Sequence, residues 1–521
     1  MIPARRRSIV ARQRRFASQV AMAIAIALTT PASAQNVPHQ SRYRTTVGEG
    51  VGQQELPRGS IFEPRVEAAI QYADNINLAE EDPVNTAGIE VAPGLYAAYN
   101  SDYILGAVDY SLIGRKWDES DYDDVTHDLA ANGRWKAIPE LFYVDADASY
   151  SDAIVDPGRS LNYGGMGVFG ASNLQEQATA SISPTLRKQF QDLVFQASYS
   201  YGWVWYLDKD FVPTSSFITV GQEDSEAQDF DVSLGTVEDD GRLGGSIFYS
   251  WQRSDFERSL PYQYERAGLD GALTLSRTLS LVGDIGRESD LDETTTEGGL
   301  DSNFWSAGLR WEPDQRSSAE ARYGERFFGS SYLVEVRTRA RMIDFTATYS
   351  ETPEVETRQA SLQSFEPGTL PPWIDPGSVG GFFTSSPYVA KDARVSLNAS
   401  GSKTRLTLTG FNHQREYLSE LLGDEDRTGT TFHATRDLAS NASLDFDASY
   451  FDIERASSLI SGPGVLDGTH DYDTQFTLRG NRGIGSRLTA SLEAGFFTRS
   501  GDQHYDGWFV GLRGRWLPVM R

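Results

Sequence analysis

The sequence predicts an all-β protein: a single large antiparallel transmembrane β-barrel of about 18–22 strands, with 22 as the best count, preceded by a signal peptide. Three observations predict it. Apolar and polar residues alternate with a period of two in segment after segment, which puts them on opposite faces of extended chain. Short and long links between those segments also alternate, the pattern of hairpins that turn tightly on one side of a membrane and loop out on the other. Beyond the first residues no run of 18 apolar side chains occurs, so only a wall of strands would let this chain cross a bilayer.

The first 20 residues, "MIPARRRSIVARQRRFASQV", are basic without an acid, and "AMAIAIALTTPASA" follows. A charged start, a short apolar stretch and small residues before a cut describe a secretory signal peptide over 1–34. Its apolar run falls short of the roughly 20 residues that a membrane anchor needs. Residues 35–60 read as a short periplasmic segment, too brief for a globular plug, 61–516 as the barrel and 517–521 as a C-terminal tail. The expected location is a Gram-negative outer membrane with both termini periplasmic, because an even strand number returns the chain to its starting side.

The leader holds six of the 47 basic side chains and none of the 73 acidic ones, leaving 41 basic against 73 acidic residues and a formal charge of −32. That balance excludes nucleic acid as a partner, since a phosphate backbone needs Lys and Arg to neutralise it. The chain has no cysteine, which removes disulfides, thiolate metal sites and cysteine nucleophiles together. With 24 Tyr, 26 Phe and 10 Trp it is too aromatic for a disordered chain.

The strand pattern is plainest in "DLVFQASYSYGWVWY", where Leu193, Phe195, Ala197, Tyr199, Tyr201, Trp203 and Trp205 share one face. "LFYVDADASY" sets Phe142, Val144, Ala146, Ala148 and Tyr150 against Asp145 and Asp147, and "SLDFDASY" repeats the device with Asp445 and Asp447. Strand cores are expected near 61–73, 88–99, 102–114, 125–135, 140–151, 174–186, 191–204, 224–236, 241–253, 263–276 and 280–289. The second half adds 301–311, 318–326, 331–338, 342–350, 391–400, 404–415, 428–437, 441–453, 468–480, 485–498 and 503–516. Longer links, rich in Gly, Pro, Asp and Ser, fall near 151–173, 206–223, 288–301, 351–390 and 455–468. A row of β-sandwiches is the structural competitor; it requires clear linkers, and only 364–383 resembles one.

Aromatic residues near strand ends, Trp135, Tyr150, Trp203, Trp205, Tyr349, Tyr450, Trp508 and Trp516, are expected at the membrane interface, where an apolar ring with a polar edge suits the headgroup level. The opposite faces supply candidate pore-lining residues: Asp145, Asp147, Glu320, Arg322, Glu335, Arg337, Asp445, Asp447, Glu493, Arg513 and Arg515. An excess of carboxylates there would favour cations. Lipid and lipopolysaccharide are expected partners, with polysaccharide cargo and the barrel assembly machinery beside them.

Enzymatic readings find little. The six histidines stand apart from any serine in a nucleophile setting, so no catalytic residue, metal ligand or cofactor is assigned and the chain is not read as an enzyme. "DESDYDD", residues 118–124, offers weak, non-specific binding of divalent cations between lipopolysaccharide phosphates.

The segment from Trp305 to Glu354, with "RYGERFFG" at 322–329 and Tyr349-Ser350-Glu351, resembles a family of uncharacterised outer-membrane β-barrels. These belong to bacterial systems that pair exosortase (PEP-CTERM-type) protein sorting with exopolysaccharide production. "YADNINLA", 72–79, resembles that family's first hairpin, and the similarity spans about 60–516. The resemblance implies a porin-like channel, passive or loop-gated, for an exopolysaccharide or its fragments. The alternative is a barrel plugged by its own loops that anchors sorting or polysaccharide machinery. One departure stands out: such barrels commonly end on an aromatic residue, whereas this chain runs five residues past Trp516.

Overall fold

The computed structural model describes residues 58–154, 162–164, 167–169, 174–207, 223–236, 242–291, 296–355, 386–419, 422–456 and 468–518. The expected signal peptide and nearly all of 35–60 lie outside them. In chain order the strands are β1 (Gly59–Ala73), β2 (Thr86–Asn100), β3 (Ile104–Trp117), β4 (Asp124–Ile138), β5 (Phe142–Ile154), β6 (Asn162–Gly164), β7 (Gly167–Phe169) and β8 (Leu174–Phe190). Then come β9 (Leu193–Tyr206), β10 (Ser225–Thr236), β11 (Leu243–Phe256), β12 (Tyr262–Ser276), β13 (Leu279–Glu288), β14 (Ser302–Asp314), β15 (Ser317–Arg326) and β16 (Gly329–Arg339). The last are β17 (Ile343–Glu354), β18 (Tyr388–Ser400), β19 (Thr404–Tyr417), β20 (Glu425–Ala439), β21 (Ala442–Arg455), β22 (Thr469–Ile484), β23 (Leu488–Gly501) and β24 (Tyr505–Trp516).

Strands β6 and β7 pair only with each other; the other 22 form one antiparallel sheet. It closes on itself where β1 meets β24, from Val66 opposite Trp516 to Ala73 opposite Phe509. The sandwich competitor is thereby excluded. Each expected strand core corresponds to one barrel strand, and the short region 318–338 is two strands rather than one. The wall begins at Gly59, two residues before the expected start.

Alternation decides which face each side chain takes. Leu243 and Ile285, on the outer face, are 74% and 61% exposed, whereas Arg415 and Arg499, on the inner face, are 1% and 0% exposed. A water-soluble domain shows the reverse, apolar groups inside and guanidinium groups outside. Along β24 the outward Trp508, Val510, Leu512 and Trp516 are all exposed while Phe509 between them is buried. The nine residues from Trp508 to Trp516 rise about 26 Å along the strand, or about 20 Å along the axis at a ~40° tilt, close to the height of an outer-membrane apolar band.

Links on the side of Gly59 and Trp516 are short, such as 191–192, 277–278, 315–316 and 440–441. The opposite rim carries 74–85, 155–173, 207–224, 289–301 and 355–387. Other connections on that rim are short, 257–261 and 502–504 among them, and the tightest turns β15 into β16 through Phe327 and Phe328 alone, with Gly329 at φ +108°, where an L side chain would be strained.

Closure is reinforced from inside. Arg515 of β24 lies opposite Glu67 of β1, with Nε 3.4 Å from Oε1, and Arg513 reaches past Ala69 to donate to Glu90 of β2 at 3.2 Å. Arg65 of β1 crosses β2 at Gly94 and donates to Asp109 of β3 at 2.8 Å and to Ser111 at 2.7 Å. A Cβ at Gly94 would stand 2.8 Å from Ser111 Oγ and 2.9 Å from Arg65 Nε, so the crossing depends on the missing side chain.

Gly94→Ala is therefore expected to destabilise the barrel by about 1–3 kcal/mol, the usual cost of overpacking a filled site. Gly480→Ala, where nothing lies within 4 Å of the new Cβ, is the control expected to unfold with wild-type behaviour. Urea unfolding of the reconstituted barrel measures both.

Candidate functional site: the inner wall

Twenty-two strands about 4.8 Å apart and tilted by ~40° enclose a cylinder about 40 Å across between backbones. Wall side chains cannot fill that width, so the inner face and whatever narrows its mouth define the candidate site.

The eleven residues assigned to the pore by alternation all lie on the face that carries Arg415 and Arg499, and most are engaged. Asp145 accepts from Arg134 Nε at 2.6 Å. Asp147 lies opposite Asn132 and Ser181. Glu320 accepts from Arg310 Nε at 2.6 Å and from Arg322, whose Nη1 donates to Asp270 of β12 at 3.1 Å. Asp445 accepts from Thr435 at 2.8 Å and Asn481 at 2.6 Å; Asp447 meets His433 Nδ1 at 2.5 Å; Glu493 accepts from Arg479 at 2.9 Å. Arg513 and Arg515 belong to the closing seam. Glu335 and Arg337, opposite Glu320 and Ser318, are exposed to the lumen.

The candidate lining, of mixed sign from the start, forms networks of carboxylates, guanidinium groups and neutral donors. Many carboxylates inside the wall face guanidinium groups one or two strands away, while Asp445 and Asp447 meet Thr, Asn and His side chains. The strongest links were not singled out from sequence. Arg499 is fully buried and donates to Asp471 at 2.8 Å and Asp473 at 3.3 Å. Arg455 pairs with Glu425 at 3.1 Å, and the Arg415 guanidinium lies 4.8 Å from the ring centre of Tyr388. Fully buried Glu288 accepts from Tyr264 Oη at 2.6 Å, Arg326 Nη2 at 2.8 Å and the Phe327 amide at 3.0 Å. Alternation places these residues on the inner face with the others.

At the long-loop rim the inner face turns apolar in several places, Phe411 with Phe451 and Ile453 among them. The 74–85 link folds onto the wall, so that Ile76 and Leu78 pack with Trp117, Phe497, Tyr505 and Phe509. Asn75 holds it there, donating to the carbonyls of Ala79 and Asp506, both at 2.9 Å. A second cluster joins Tyr262, Tyr264, Leu291 and Val355, with Phe327 and Leu418 against it. "ERFFG" is a tight rim turn, with Phe327 in this cluster and Phe328 edge-on to it at 5.1 Å between centroids.

Of the interface candidates, Tyr150, Trp203, Trp205, Tyr349, Tyr450 and Trp508 stand on the outer face towards the long-loop rim, and Trp135 and Trp516 towards the short-turn side. Trp203 and Trp205 stack with centroids 6.2 Å apart, and Tyr150 donates to Glu176 at 2.8 Å. In the 118–124 segment, Asp123 accepts from Lys116 and from the Trp117 amide, which hold its carboxyl below the usual carboxylate range, and Asp124 meets Arg115 at 3.2 Å. Among the described residues no three His, Asp or Glu side chains converge as metal ligands.

No protein-family model and no curated protein matches the chain. Solved structures similar to it include the siderophore receptor PirA from Acinetobacter baumannii, at 8% identity over 89% of this chain and 81% of that one, TM-score 0.47. The iron transporter FrpB from Neisseria meningitidis is similar at 9% identity over 89% and 83%, TM-score 0.47. The ferric-catecholate import receptor Fiu from E. coli is similar at 10% identity over 88% and 82%, TM-score 0.45. Similarity at that level says nothing about ligand or mechanism, and function has to be read from the wall itself.

Burial separates two kinds of wall charge. Glu288→Ala strands Arg326 without its carboxylate and is expected to cost about 3–5 kcal/mol, whereas Asp145→Ala, beside a half-exposed Arg134, is expected to cost about 1 kcal/mol or less. The double variant Glu288→Ala/Arg326→Ala is expected to recover part of the first loss, read by unfolding in the same lipid.

Proposed function

We propose that this chain is a bacterial outer-membrane barrel whose lumen is a passive or loop-gated conduit for an exopolysaccharide or its fragments. The observation that carries the reading is the inverted burial of a closed sheet, apolar outside and charged within. Exposed leucines and isoleucines in water are a liability, but against acyl chains they are the stabilised arrangement. Aromatic residues towards both ends of the outer face supply interface anchors, with lipid and lipopolysaccharide around them, and assembly machinery delivers the barrel to the membrane.

Inside, Asp145, Asp147, Glu320, Arg322, Glu335, Arg337, Asp445, Asp447, Glu493, Arg513 and Arg515 line the path. Fixed donors and acceptors of both signs suit a hydroxyl-rich chain, which exchanges water for wall hydrogen bonds without needing a counter-charge. The resemblance of 305–354 to barrels of exosortase and exopolysaccharide systems supports that cargo.

A second reading is favoured by the rim. The 74–85 link and the Tyr262 cluster pack onto the inner face, as they would in a barrel closed by its own loops that serves as a surface scaffold. Planar-bilayer recording decides between them. Stable single-channel steps are expected for the conduit; a folded, heat-modifiable barrel that stays silent sinks it.

Because many but not all of the carboxylates inside pair with arginines, the reversal potential in a salt gradient is expected to be small and on the cation-selective side. Arg337→Ala/Arg513→Ala/Arg515→Ala removes cations from the lattice and is expected to shift it towards cation selectivity.

A further inference from the structure

The seam between β16 and β17 is the shortest ladder in the wall. The two strands pair only from Val334 opposite Tyr349 to Arg339 opposite Asp344, six residues on each. Towards the long-loop rim both continue as strands, yet not with each other. Gly329 to Leu333 pair with β15, and Ser350 to Glu354 pair with β18. Pro353, which has no amide hydrogen to offer, sits in the parted stretch.

Glu351 bridges the gap. Its Oε2 accepts from the Tyr332 amide at 3.2 Å, its Oε1 accepts from the Tyr349 hydroxyl, and its carbonyl accepts from Arg326 Nη1 of β15 at 3.2 Å. Contacts made by one side chain and one carbonyl thus replace a stretch of ladder. Unpaired backbone is strongly disfavoured in hydrocarbon but tolerated where water or polar groups reach it. The outward Tyr323 and Tyr332, whose rings lie 5.3 Å apart, mark that height on the outer face. On the inner face the parted strands present Ser331, Ser350 and Thr352.

We propose that this seam is a lateral opening, latched by Glu351, through which an amphiphile with a hydrated head and an acyl chain passes between the lumen and the outer leaflet. The head fits the hydroxyl-bearing inner edge, and the chain fits the apolar outer face beside the opening, where Val334 and Val336 stand. The proposal rests on the reading of the barrel as a membrane-embedded conduit.

The chain has no cysteine, so single labels are unambiguous. Thr352→Cys and Thr431→Cys each carry a fluorophore on the inner face, the second behind the long ladder of β20 and β21. The barrels are reconstituted in phosphatidylcholine vesicles with or without a phospholipid bearing a doxyl quencher near its headgroup. The expected result is several-fold greater lipid quenching at 352 than at 431, increased further by Glu351→Ala and restored towards wild type by Glu351→Gln, which keeps one acceptor oxygen. Equal quenching at the two positions in both the native and the Glu351→Ala background overturns the opening. Aqueous iodide reads the parent proposal separately: quenching at both labels marks a water-filled lumen, and protection of both sinks the conduit while leaving the seam to be judged on lipid quenching alone. Heat-modifiability confirms that each variant is folded.

Discussion

A sheet whose outer face is apolar cannot afford an edge, and the rest of the molecule follows from that constraint. An edge strand exposes a row of amide hydrogens and carbonyls, harmless in water and expensive in hydrocarbon. Pairing β24 with β1 removes it. Glu67, Glu90, Arg513 and Arg515 gather on the inner side of that junction, so the closing pair carries ionic links as well as backbone hydrogen bonds.

Once the wall is closed, its two faces obey different rules. The outer face needs only apolar bulk, and Leu, Ile, Val and Trp serve interchangeably along it. The inner face must satisfy long charged side chains at a distance from one another, and small residues make this possible. Gly94 and Ala69 let arginines cross a whole strand and tie together strands that share no ladder. Such ties stiffen the cylinder against shear between neighbours, a mode that backbone hydrogen bonds alone resist weakly.

The strand set was legible because alternation is a local property, repeated in every segment and unaffected by what lies across the sheet. Boundaries were less so. Strand β8 runs to Phe190, four residues past the alternating stretch, since Arg187, Lys188 and Gln189 continue the ladder with side chains that no apolar rule selects. The inner face was legible as a face, not as a set of partners. Nothing near Arg65 in the sequence points to Asp109, which it meets only because two registers align them across Gly94. The rim clusters were illegible for a related reason: Leu78, Leu291, Val355 and Leu418 sit in polar links with no periodicity to mark them. Glu351 belongs to the Tyr349-Ser350-Glu351 stretch that carries the family resemblance, but its bridging role depends on a ladder that stops short.

The two-residue turn at Phe327 and Phe328 is the shortest span on a rim where other links run from three residues to more than thirty. The connections on either side of it, 289–301 and 355–387, are far longer. Link length is thus uneven around the axis, so a bulky particle approaching that rim, an antibody or a phage tail fibre, finds strand ends covered by only two residues there. The barrel's orientation among neighbouring proteins then decides which of them that short span confronts.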